Sequence, residues 1–152
     1  MLFFDIETDG LLEDLTKIHC MCIKDTSTDT MYRYTPENIE DGIRKLMAGE
    51  EICGHNVIAF DLPAIKKLYP WFTVQKDKVI DTLVYARLVF SEINYIDNKL
   101  TRTGVLPKRL YGSHSLKAYG YRLGVLKGTY CDTDDAWAVF TPEMLDYNEQ
   151  DV

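Results

Sequence analysis

The chain opens on an alternation of apolar and polar positions. Residues 1–8 read Met-Leu-Phe-Phe-Asp-Ile-Glu-Thr. In a strand, where side chains change face at every residue, Leu2, Phe4 and Ile6 point one way and Phe3, Asp5 and Glu7 the other. Asp9-Gly10 is a turn signal, followed by an apolar pair, Leu11-Leu12, on the surface. Ile18 to Lys24 and Met31 to Tyr34 are strand patterns on either side of the polar run Asp25 to Thr30, which predicts a hairpin and, with the first strand, an antiparallel meander. From Pro36 to Ala48 the period becomes helical, with Ile39, Ile43, Leu46 and Met47 on one side and Gly49 ending it. Glu51 to Gly54 returns to a short strand, expected to lie alongside the first.

Farther on, strand-to-helix junctions recur. His55 to Leu68 runs from a strand through a loop into a helix that Asp61 can cap, with Pro63 in its first turn. Val79 to Thr82 is a second junction, leading to a helix with Leu83, Ala86, Arg87 and Phe90; Asp81 reads most simply as its N-cap, with a catalytic role as the alternative. Ser91 to Gly112, containing Gly104 and Pro107, reads as a long connection, a feature that in compact domains is functional or disordered. Ser113 or Ser115 caps a helix through Leu116, Tyr119 and Leu123 that stops near Gly124, and His114 is a packing or capping residue. Thr141-Pro142 starts a last helix, on which Met144, Tyr147 and Asp151 share a face.

Composition adds class. A chain of 152 residues is one domain's worth, and its apolar and charged fractions are those of a globular protein. Neither a membrane-length apolar run nor a secretory leader is visible, so the expected location is the cytoplasm. Cys20, Cys22, Cys53 and Cys131 lie among apolar neighbours and are expected to be reduced core thiols rather than zinc ligands or disulfides.

The net charge of −7 argues against a nucleic-acid partner until its distribution is considered. Between Asn98 and Cys131 there is no acidic residue but seven basic ones: Lys99, Arg102, Lys108, Arg109, Lys117, Arg122 and Lys127. A positive surface beside an acidic site is one reading, with Lys99, Arg102, Lys108 and Arg109 meeting phosphates; a solvated basic face is the other.

Asp5 and Glu7 repel one another on a strand and stay ionised in a fold only if a cation or other donors compensate, and oxygen pairs of this kind suit hard divalent ions; the alternative is that Asp5 ends the strand and Glu7 lies on a solvated turn. Asp61 and Asp151 extend the set. Four carboxylates on a strand, a loop and a late helix read as a two-metal site, whose common use is phosphodiester hydrolysis. Asn56 and Phe60 add an amide and an aromatic platform that suit a nucleotide, the alternative for Asn56 being a plain turn residue.

Asp5-Ile6-Glu7-Thr8, Asn56-Val57-Ile58-Ala59-Phe60-Asp61 and Tyr147-Asn148-Glu149-Gln150-Asp151 resemble, in order and separation, the three motifs of the DEDD exonuclease superfamily in its tyrosine-bearing (DEDDy) branch. Ile80 to Val84, Gly112 to Leu116 and Tyr119 to Gly124 extend the likeness to the proofreading domain of family A DNA polymerases from short-tailed phages. The resemblance implies an α/β, RNase H-like fold: a mixed sheet opening with an antiparallel meander and flanked by helices.

It also implies roles. Asp5, Glu7, Asp61 and Asp151 would bind two Mg2+ or Mn2+ ions, and Tyr147 would orient the attacking water, since a phenol is a poor base at neutral pH. Thr8, Leu11, Asn56 and Phe60 would grip single-stranded DNA or a frayed 3′ end. The implied activity is 3′-to-5′ exonucleolytic release of 5′-mononucleotides in proofreading. The alternatives are an RNase of the same superfamily or a non-catalytic domain that binds DNA or a polymerase. In the family the last helix continues past the final Asp towards the polymerase, whereas nothing follows Val152 here. The expectation is therefore a single exonuclease domain, either belonging to a longer or split polymerase or free-standing with a polymerase as partner.

Overall fold

The computed structural model describes residues 1–126, 128, 130 and 137–152; the expectations for Lys127 and Cys131 lie outside them. The chain divides into two compact units, residues 1–81 with 129–152, and residues 82–128.

In the first unit, strands β1 (Leu2–Thr8), β2 (Ile18–Asp25), β3 (Thr30–Tyr34), β4 (Ile52–Gly54) and β5 (Val79–Asp81) form one sheet in the order β3-β2-β1-β4-β5. β1 pairs antiparallel with β2, and β2 with β3, as the meander requires; β1–β4 and β4–β5 are parallel. Burial alternates along β1, with Leu2, Phe4, Ile6 and Thr8 inside and Phe3, Asp5 and Glu7 half-buried.

The apolar face of the sheet packs against α1 (Ile39–Ala48) and α2 (Asp61–Leu68) in one core: Phe4, Ile6, Met21, Ile23, Ile43, Leu46, Ala64 and Ile65 all belong to it. On the opposite face Cys20 and Cys22 meet Met144 and Leu145 of α6 (Pro142–Glu149). Cys20, Cys22 and Cys53 are free and buried, as expected of core thiols. Burial pushes Cys22 up to about 12 and Cys53 up to about 11, so both hold their protons.

β4 ends where only glycine fits. A Cβ on Gly54 would lie 2.4 Å from Val57 Cγ1 and 2.7 Å from the Phe4 carbonyl oxygen. The chain then reverses through Asn56 at φ 67°, in the left-handed region that asparagine tolerates, and reaches α2 five residues later.

The second unit comprises α3 (Thr82–Val89), α4 (Ile93–Arg102), a 3-10 turn at Lys108–Leu110 and α5 (Leu116–Leu123) around Leu106, Leu110 and Ala118. Ser115, one of the two predicted caps, accepts from the Ala118 N–H, and Gly124 closes α5 at φ 72°. The reading of Ser91 to Gly112 as a long connection is corrected: its first half holds α4, Ile93–Arg102. Its inward positions are Ile93 and Asp97, with Leu100 partly buried, so an acid interrupts the apolar stripe that would have betrayed a helix.

Arg122 makes that acid tolerable. Its Nε and Nη2 donate to the two Asp97 oxygens at 2.9 and 2.8 Å, and Nη2 also to the Ser113 carbonyl at 2.7 Å. Arg122, counted above with a basic surface, is thus an interior counter-charge whose side chain is 4% exposed. No helix among the described residues is long and apolar enough to cross a membrane.

Candidate active site

Asp5 and Glu7 lie opposite Cys22 and Cys20 in the β1–β2 register, so the two acids rise from the face on which α6 packs. Asp151 arrives from the turn that follows α6. One ligand oxygen from each of Asp5, Glu7 and Asp151 lies within 4.8 Å of the others, and all three residues are half-buried. Three like charges at that spacing repel, and a hard divalent cation relieves them. The donors fit such an ion, because they are oxygens on a strand and a helix end. The neighbouring thiols, which would favour a softer metal, keep their protons: burial, with the nearby Glu7 charge, drives Cys20 upward as well.

Asp61 does not cap α2 as the sequence suggested; Phe60 holds the N-cap position and Asp61 is the first helical residue. Parallel pairing of β1 with β4 stops at Phe3. Beyond it, the Ile6 N–H donates to Asp61 Oδ1 at 3.3 Å. The fourth acid is therefore pinned to the strand residue between Asp5 and Glu7. It is only 3% exposed. Burial pushes its carboxyl up to about 7 against the pull of its own and the Ile6 N–H, and the charges of Asp81 and Asp151 push the same way.

The end of α6 brings Asp151 in. Thr141 caps the helix by accepting from Met144 N–H, with Pro142 at the start, as the sequence predicted. At the other end the helix tightens: Gln150 N–H donates to the Tyr147 carbonyl at 3.2 Å and Asp151 N–H to the Asn148 carbonyl at 3.1 Å. Both bonds span three residues, the 3-10 spacing that often closes an α-helix.

Asn148 is fully buried, and its Nδ2 donates to Asp5 Oδ2 at 2.6 Å. The sequence reading passed over Asn148, which lay inside a motif valued for its neighbours. The Tyr147 ring stands 5.6 Å from Tyr130 and 6.2 Å from Trp137, centroid to centroid, in an aromatic group beside the acids' helix. Arg33 of β3 pairs with Asp146 and, at 3.4 Å, with Glu149, tying α6 to the sheet edge.

Among the other predicted residues, Leu11 is 75% exposed in the loop after β1. Thr8 is buried, and its hydroxyl donates to the Gly10 carbonyl at 2.8 Å. Phe60 packs partly against the core. The N–H groups of Asn56 and Ile58 donate to the two oxygens of Asp81, each at 3.0 Å. Both Asp81 oxygens thus accept, across the sheet end, from the loop that carries Asn56 and Phe60, a role the sequence did not reveal. Lys99 and Arg102 are exposed on α4, and Lys108 and Arg109 on the 3-10 turn, all in the second unit.

A family model described as the RNase H superfamily matches residues 2–152. The chain is 38% identical over 175 aligned positions to a DNA-directed DNA polymerase of Escherichia phage T7, and equally to one of Enterobacteria phage T3. Each alignment covers all of this chain and 25% of the relative, so the chain spans about a quarter of the length of these curated relatives.

Proposed function

This chain belongs to the RNase H superfamily, and from that membership we propose that it is a metal-dependent 3′-to-5′ exodeoxyribonuclease, working beside a DNA polymerase to remove nucleotides from single-stranded or frayed 3′ ends. The observation that carries the reading is the meeting of Asp5, Glu7 and Asp151 oxygens within 4.8 Å. Similarity to two DNA polymerases supports DNA as the substrate and replication as the setting.

Asp5, Glu7 and Asp151, with Asp61 against the same strand, would hold two Mg2+ or Mn2+ ions. Bound there, the ions supply the positive charge that activates water and offsets charge growing on phosphorus and the leaving 3′ oxygen. Tyr147 holds the attacking water in line. Leu11, exposed just past the acids, wedges against the terminal base pair. Asn56 and Phe60, on the loop braced by Asp81, present an amide and a ring to the last nucleotide. The exposed Lys99, Arg102, Lys108 and Arg109 attract the phosphate backbone.

The test is digestion of a 5′-labelled 3′-tailed duplex, and of RNA of the same sequence, with magnesium, manganese or chelator, by wild type and Asp5→Ala. A ladder shortening from the 3′ end, only with metal, only with wild type and faster on DNA, is expected. Equal cleavage of RNA would make the protein a ribonuclease of the same superfamily. No cleavage under any condition would end the enzymatic reading.

A further inference from the structure

Two of the three gathered acids, one through its carboxylate and one through its backbone, are bonded to one residue that is itself not an acid. The Asn148 amide donates to Asp5 Oδ2 at 2.6 Å, while its backbone carbonyl accepts the Asp151 N–H at 3.1 Å. The first bond links α6 to β1 across 143 residues of sequence; the second sets the tight turn from which Asp151 projects. We infer that Asn148 is a positioning residue that fixes the spacing of Asp5 and Asp151 and thereby sets the affinity of this cluster for a divalent cation.

The χ2 torsion of an aspartate is broad, so a carboxylate on a strand does not by itself present its oxygens in one plane. A buried donor on one oxygen removes that freedom before any ion arrives. The amide orientation is itself determined, because turning it over would set Oδ1 against the Asp5 carboxylate. In the orientation present, Oδ1 is buried and accepts no hydrogen bond from any described residue. Burying an acceptor in this way is unfavourable. A leucine of nearly the same shape would avoid that cost, so stability alone does not account for an amide here; donation to Asp5 does. Outer groups that orient a metal's carboxylates change its affinity by about 10- to 100-fold when removed.

The inference rests on the nuclease reading, and manganese binding tests it without needing turnover. Free Mn2+ is measured by electron paramagnetic resonance in titrations of wild type, Asn148→Leu, which keeps the shape, and Asn148→Ser, which keeps a hydroxyl too short to reach. Thermal melts without metal accompany them. Expected are metal-free melting temperatures for the leucine variant at or above wild type, with manganese affinity lowered about 10-fold or more in both variants. Cleavage lost at low manganese should return at saturating manganese. A folded variant that binds manganese as tightly as wild type overturns the inference and leaves the nuclease reading standing. Wild type that binds no manganese overturns both.

Discussion

At Asp81, 3% exposed, two backbone N–H groups from a segment 25 and 23 residues upstream keep a carboxylate inside the protein. Asp81→Ala would leave the Asn56 and Ile58 donors without that acceptor and release a loop whose turn already requires a left-handed residue. The expected loss is about 2–6 kcal/mol in urea unfolding, taking roughly 1–3 kcal/mol for each stranded donor. Asp97 makes a second prediction. Its hydrogen bond from Arg122 holds its carboxyl below the usual carboxylate range, against the opposing effect of burial. A folded-state value below the unfolded one contributes stability that is complete above the ordinary value of about 3.9 and is lost as pH falls through the lower folded value. Circular dichroism followed from about pH 5 to pH 2 should show wild type losing its advantage over Asp97→Asn in that window. At neutral pH the variant, which strands a buried guanidinium, should be less stable by about 3–5 kcal/mol. Neither contact was readable along the chain, because each joins residues far apart in sequence through groups whose local environment gives no hint of a partner.

Elements were legible where one period ran without interruption. β1 announced both its faces, since apolar and acidic residues alternated in register, and α6 announced its start with Thr141-Pro142. The end of α6 was less visible: side-chain pattern does not say that the last turn tightens, which places Asp151 through Asn148 instead of extending a regular helical face. α4 was missed because burial, not hydrophobicity, organises it, and Asp97 occupies an inward position. The Thr141 cap predicts that Thr141→Ala costs about 1 kcal/mol by chemical denaturation. Arg33→Ala should cost less than about 1 kcal/mol, although Arg33 bridges two acids of the same helix, because its side chain is 41% exposed and water screens the pair.

For the whole molecule, the gathered acids should make stability a measure of metal binding. An ion that binds only the folded form raises its free energy of unfolding by about 2.7 kcal/mol at a hundred times its dissociation constant. Magnesium or manganese should therefore raise the melting temperature of wild type, and Asp5→Ala should abolish the rise even if its metal-free stability is unchanged or improved by relief of repulsion. A scan with and without chelator decides it. The α/β class, the meander and the superfamily were all legible beforehand; the division into two compact units was not, since no composition break falls at Asp81.

The Asp5–Asn148 bond joins residues 143 positions apart, and this has a consequence for synthesis. Until the ribosome has made Asn148 and Asp151, Asp5 and Glu7 stand without them, so the three acids are not yet gathered. On the proposed nuclease reading, cleavage must wait for α6 to dock, and a translation product that stalls before residue 142 is expected to leave DNA intact.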